Sequence, residues 1–349
     1  MKPFLYTIAT ITYCFLLIGC LTQTPVHSNE GPPPVNQPTG QLIVLSQANH
    51  PEHKILSINV EDGSTTSLFS VPQFARAYQL TLLPDQDAIL FAYSPPPGGG
   101  RSPFDRSALY TLPLHEPDAS PQPLLGGGRS GEFYTMPAVS PDGRYIYYVK
   151  TSQDFSSVTP TYSVSLERYD QNTNQVSPLL NNAIWPRVSP DGQHIVFIGV
   201  HPNTLERGLF MAKGDGSEVI ELIPVGTFFD IDTPLFSPDG TWIYFSTALE
   251  APANSWLEQL LGVEVAQAHA DHNVPSDWWR IATAGGDAEQ ISAREDIILH
   301  GSLDPTGHFL AYSTVTGLYW MDIKTHQDIT QLNRAKTYGT VDWMPKTVD

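Results

Sequence analysis

With 349 residues, 26 glycines, 31 prolines and 11% aromatic side chains, the chain has the material for a large β-rich domain of ~300 residues built on frequent turns. Acids outnumber Lys plus Arg by 36 to 18, and the formal net charge of -18 argues against nucleic acid as a partner, since a phosphate backbone wants a basic surface. The two cysteines, Cys14 and Cys20, both lie near the N-terminus, so the body of the chain carries neither a disulfide framework nor a thiol nucleophile.

Lys2 is followed by an apolar run from Phe4 to Gly19 that ends at Cys20, the pattern of a secretion signal over residues 1–19. The run is shorter than the ~20 residues that span a bilayer comfortably. Leu17-Ile18-Gly19-Cys20 resembles the bacterial lipobox. That resemblance implies cleavage before Cys20, lipidation of its thiol, and a lipid-anchored, extracytoplasmic place at the cell envelope. Residues 20–40 are polar and stiffened by Pro25, Pro32, Pro33, Pro34 and Pro38, which predicts a semi-extended tether rather than part of a core.

From residue 41 onward the chain repeats itself. Ser140-Pro141-Asp142-Gly143, Ser189-Pro190-Asp191-Gly192 and Ser237-Pro238-Asp239-Gly240 recur with the variant Asp304-Pro305-Thr306-Gly307, and Pro84-Asp85 and Pro345 mark two degenerate copies. Apolar residues five and seven after the proline of each full phrase (Ile146/Tyr148, Ile195/Phe197, Ile243/Phe245, Leu310/Tyr312) alternate with the period of a strand. Proline pre-sets the first corner of a type I turn, Asp takes the second, and Gly takes the left-handed position that closes a hairpin. Six copies at about 52 residues each leave room for four strands per unit. The last unit stops after one strand while residues 41–70 supply three strands without a first, so the two ends complement each other. The expectation is an all-β, six-bladed ring over 41–349, closed by strands from both termini, with its sheet edges hidden.

The spacing from Pro238 to Pro305 is lengthened to 67 residues by an insertion at about 249–277. Ser255 and Glu258 form a capping-box pattern, and Leu257, Leu260, Leu261, Val265 and Ala268 recur at helical spacing, which predicts an amphipathic helix there. Its stripe either lies on the ring or, with Trp256, docks a partner or a bilayer surface. His269, Asp271 and His272 in the same insertion are a weak metal candidate, because no further ligand accompanies the triplet.

Other chemistry is sparse. Gly128-Arg129-Ser130-Gly131 misses the nucleophile-elbow pattern by one residue. Asp170, Asn172 and Asn174 open like a calcium loop, but Gln175 and Asn181 replace the glycine and the bidentate acid, so a strand-connecting turn is expected. No cofactor and no catalytic residue are implied.

The segment from Thr233 to Ser246 and the stretch Trp279-Arg280-Ile281-Ala282-Thr283-Ala284-Gly285-Gly286 are similar to the WD40-like Pro-Asp repeats of TolB-type propellers and of prolyl-oligopeptidase-type enzymes. The resemblance covers about residues 41–349 and implies the fold, not an activity. The expectation is a ring without the separate TolB N-terminal domain and without a hydrolase domain.

Propeller connectivity puts the Pro-Asp-Gly turns on one face and the long connections 94–106, 151–161 and 249–277 on the other. The innermost strands start on that loop-rich face, placing Tyr78, Gln79, Tyr134, Met136, Trp185, Asp232, His300, Tyr338 and Thr340 around the channel mouth. Aromatics with one acid and one His suit a binding surface. Three functions fit: a non-catalytic envelope lipoprotein serving as a protein-interaction platform, a small-ligand or glycan sensor, and a metal-assisted envelope hydrolase or lyase. The first unites the fold, the anchor and the missing catalytic set, with an envelope protein as partner.

Overall fold

The computed structural model describes residues 37–46, 53–99, 102–116, 118–154, 161–248, 275–294, 296–326, 330–333 and 338–345. The expected signal, Cys20, most of the expected tether, residues 249–274 of the insertion with the expected helix, and His269, Asp271 and His272 lie outside the described residues.

Twenty-four strands form six antiparallel four-stranded sheets arranged as the blades of a propeller. Blade one combines the C-terminal β24 (Tyr338–Met344) with β1 (Gln41–Ser46), β2 (Lys54–Asn59) and β3 (Thr65–Ser70). Leu42 faces Trp343 and Val44 faces Val341 across the closing seam, and Trp343 Nε1 donates to the Thr39 carbonyl at 3.1 Å. The expected closure by strands from both ends is therefore present.

Blade two is β4 (Arg76–Leu82), β5 (Ala88–Ser94), β6 (Ala108–Pro113) and β7 (Gln122–Gly126). Blade three is β8 (Glu132–Val139), β9 (Tyr145–Asp154), β10 (Thr161–Asp170) and β11 (Gln175–Asn181). Blade four is β12 (Ala183–Val188), β13 (His194–Val200), β14 (Arg207–Lys213) and β15 (Ile220–Ile223). Blade five is β16 (Asp230–Phe236), β17 (Trp242–Ala248), β18 (Asp277–Ala282) and β19 (Glu289–Gln290). Blade six is β20 (Ile298–Leu303), β21 (Phe309–Thr314), β22 (Gly317–Asp322) and β23 (Thr330–Asn333).

The repeated phrase folds as its chemistry predicts. Gly143, Gly192, Gly240 and Gly307 have φ of 72°, 71°, 71° and 69°, and each N–H donates back to the residue before the proline at 2.8–2.9 Å. The serine has a further task that turn type alone does not reveal. Ser140 Oγ donates to Asp142 at 2.5 Å and accepts from Tyr145 N–H at 2.8 Å, locking the turn to the next strand. Blades four and five repeat this with Ser189 and Ser237. In blade six Asp304 takes the serine's place and its carboxylate accepts from the Phe309 and Thr306 N–H groups. The hydrogen bond from the serine holds Asp142, Asp191 and Asp239 below the ordinary carboxylate range.

The core is divided among the six seams between blades. Alternation along one strand serves two of them: Ile43 and Leu45 face blade two, whereas Leu42 and Val44 face blade six. Burial on both faces explains the near-continuous apolar second strands such as Ile195-Val196-Phe197-Ile198. Asp170, Asn172 and Asn174 form the β10–β11 turn, where Asp170 Oδ1 accepts from Asn172 N–H at 2.9 Å and Asn174 has φ 56°.

Candidate functional site

Each inner strand, β24, β4, β8, β12, β16 and β20, carries a register shift against its neighbour. Five residues before each turn proline stand Thr340, Gln79, Met136, Trp185, Thr233 and His300. Met136, Trp185 and Thr233 have φ of 52°, 52° and 47°, and each precedes a proline: Pro137, Pro186 or Pro234. A bulge interrupts the ladder, and a residue with no N–H tolerates that interruption. Blade two has Leu80 instead, whose N–H is accepted by Thr340 Oγ1 of blade one at 3.1 Å.

The same layer continues from blade to blade. Met136 N–H donates to Gln79 Oε1 at 3.4 Å, and Trp185 N–H donates to Met136 Sδ at 3.4 Å. Trp185, 4% exposed, reaches past blade five to His300 of blade six, with ring centroids 5.1 Å apart. Two inner strands that are not neighbours meet in this way only across the channel. The mouth is thus narrowed on this side by the Trp185–His300 contact.

The predicted aromatic ring of residues divides into two groups. Tyr78 and Tyr134 pack instead in the seam between blades two and three, against Leu90, Ile146 and Tyr148. Tyr134 stacks on Tyr148 with centroids 5.3 Å apart and 19° between planes, and Lys150 Nζ lies 5.6 Å from the Tyr134 centroid. Tyr148 donates to the buried Glu167 carboxylate at 2.7 Å, and Lys150 lies 3.5 Å from Glu132. Burial pushes the Tyr134 and Tyr148 phenols above their usual range, and the Glu167 carboxylate pushes Tyr148 further. Gly126 is fixed by this stack, because a Cβ there would stand 2.8 Å from the Tyr134 ring.

Asp232 joins a seam rather than the lumen. Arg207 Nη1 lies 2.8 Å from Asp232 and 2.7 Å from Asp230, tying blade four to blade five. Tyr338 is the first residue of β24. The sequence reading missed Thr233, Arg207, Lys150 and Glu167. The proline four residues before the turn proline in three blades is the signal that exposes Thr233, because it marks the bulge.

On the loop-rich face the β9–β10 hairpin is the tallest feature described. Both strands run ten residues, against six or seven in the second and third strands of the other blades. At its far end Tyr162 pairs with Gln153 and is 63% exposed. Among the described residues, no group of three or more His, Cys, Asp or Glu is placed to hold a metal ion.

No family model matches the chain. TolB from Acinetobacter baumannii is similar in structure, with a TM-score of 0.61 at 16% identity over 88% of this chain and 67% of that one. A chain of a nidogen/laminin complex gives a TM-score of 0.60 at 10% identity over 86% of this chain and 97% of its own length. These likenesses establish the TolB-like six-bladed propeller fold. In sequence, dipeptidyl-peptidase 5 of Porphyromonas gingivalis is 26% identical over an alignment of 188 residues, which takes in 46% of this chain and 27% of that protein. The chain therefore spans about a quarter of that relative's length.

Proposed function

We propose that the protein is a non-catalytic cell-envelope lipoprotein, anchored through Cys20, whose propeller serves as a protein-interaction platform through its loop-rich face. The observation that carries this reading is the β9–β10 hairpin, which extends three or four residues beyond the second and third strands of the other blades, or ~10 Å at about 3.3 Å per residue. It presents Tyr162 at high exposure, and a tyrosine on a paired strand offers contact area at small entropic cost. The acidic surface suits a partner with a basic patch. A glycan or small-ligand sensor working through the mouth aromatics is less well supported, because Trp185 is buried against His300 and its own seam and leaves little ring surface for a ligand.

A photo-crosslinking amino acid at position 162, compared with one at Val219 on β15's approach at the outer rim, tests the reading in envelope preparations of the producing cell. A discrete adduct at 162 that is absent at 219 supports the platform and its face. Equal adducts at both positions, or none at 162, overturn it.

A further inference from the structure

The channel contains an arginine that the interaction face does not use. Three residues before the turn proline, the inner strands carry Asp342, Thr81, Ala138, Arg187, Leu235 and Ser302, in ring order from blade one to blade six. Asp342 touches both neighbours at this level. Its Oδ2 accepts from Thr81 Oγ1 at 3.0 Å and Leu82 N–H at 2.8 Å, and its Oδ1 accepts from Ser302 Oγ at 3.2 Å and Trp343 N–H at 3.0 Å. Four donors fill the four lone-pair sites of that carboxylate.

Arg187 stands on β12, three blades away in a ring of six, so it faces Asp342 across the channel. Burial depresses the Arg187 pKa and the Asp342 charge opposes that shift. They do not meet as an ion pair. Arg187 is half-buried, and its hydrogen bond within the described residues is one from Nη1 to the adjacent Pro186 carbonyl at 3.3 Å. At the same level Ala138 and Leu235 pack into the neighbouring seams and bring no side-chain acceptor.

A guanidinium carries five N–H donors in a fixed planar fork, and a desolvated charge is costly unless it is paired and hydrogen-bonded. Arg187 has a single long bond, and the carboxylate opposite is already saturated by its own wall. We infer that the central channel is a binding site for a small carboxylate ligand, held bidentately by the Arg187 fork, with Asp342, Thr81 and Ser302 forming a rigid opposing wall that does not compete for it. A planar carboxylate matches the fork better than a spherical anion, which sets the expected order of preference: carboxylate ahead of chloride.

Acetate is the probe. Thermal unfolding of the purified protein in acetate is compared with the same ionic strength of chloride, alongside Arg187→Met and Arg187→Lys. Wild type is expected to gain melting temperature in acetate along a saturating curve, as a ligand specific to the native state requires. Arg187→Met should show no acetate-specific gain and be at least as stable as wild type in chloride, because a partly desolvated charge with one long hydrogen bond has been removed. Arg187→Lys, which keeps the charge and loses the fork, should bind acetate at least tenfold more weakly. The inference is overturned if acetate and chloride act alike on wild type, if Arg187→Met responds to acetate as wild type does, or if Arg187→Met is destabilised in chloride, which would make Arg187 a structural strut. Should Arg187→Met fail to fold, an unchanged acetate response in Arg187→Lys overturns the inference by itself.

Discussion

Arg207 and Asp232 are 2.8 Å apart across the seam between blades four and five, with each residue no more than 7% exposed. The partly exposed Asp230 at 2.7 Å makes the arrangement an acid–base–acid triad on two strands, β14 and β16. Breaking a buried pair from one side strands the other charge, a loss of about 3–5 kcal/mol. Arg207→Met should therefore lower stability by that order in urea unfolding, and adding Asp232→Asn should recover part of the loss. Strict additivity of the two substitutions would show that the residues do not act as a unit.

That pairing also marks where the sequence becomes hard to read. The Pro-Asp-Gly turns, the repeat count and the shared closing blade were legible because each rests on local chemistry or on counting. The mouth was legible in part: Gln79, Met136, Trp185, His300 and Thr340 share one layer. Tyr78, Tyr134 and Asp232 lie one or two positions further from the turn, on the far side of a bulge, and a bulge shifts the alternation of side chains. Placing every residue at the start of an inner strand around the mouth therefore assigns them to the lumen when they pack into seams. Pro137, Pro186 and Pro234 carried the warning. Arg207 had no such marker, since its partners lie 23 and 25 positions ahead in another blade.

Two turns permit a test with opposite signs. Gly143 has φ 72° and open space where a Cβ would go, so Gly143→Ala should cost only the left-handed backbone term, about 1–2 kcal/mol. Blade two places Gln86 at the equivalent position with φ 60°. Gln86→Gly should then stabilise the protein by up to about 1 kcal/mol. Thermal unfolding of the two variants side by side checks both signs, and a gain from Gly143→Ala would contradict the turn assignment.

His53 sets an acid-side sensitivity. It is 8% exposed, and burial first, with the Arg76 charge second, lowers its pKa from 6.5 to about 4. As pH falls through 6.5 the unfolded chain binds a proton there, and the folded protein does so only near pH 4. The unfolded state thus holds more protons between those values, and stability drops as pH falls across that window. With allowance for solvent screening, the loss from this group is on the order of 1 kcal/mol. His53→Leu should flatten that part of the profile in urea midpoints measured at pH 7, 5.5 and 4.5. An unchanged slope relative to wild type would place the sensitivity elsewhere.

The contact between Trp185 and His300 bears on whether the lumen closes as a unit. Blade five lies between their strands, so each ring supports the other only through the channel, at 5.1 Å between centroids and 53° between planes. Trp185 also belongs to the blade-four core with Ile198, Leu209 and Phe228. Trp185→Ala should cost about 3–5 kcal/mol, the range for a buried large aromatic, and His300→Ala distinctly less. In a double-mutant cycle the ring contact should appear as a coupling of about 0.5–1.5 kcal/mol, the range for tilted aromatic pairs. A coupling in that range ties blades four and six through their side chains, and the mouth then resists opening even where blade five loosens. Zero coupling would mean that Trp185 is held by its own seam alone, leaving His300 able to turn away and the mouth able to open without cost to the blade-four core.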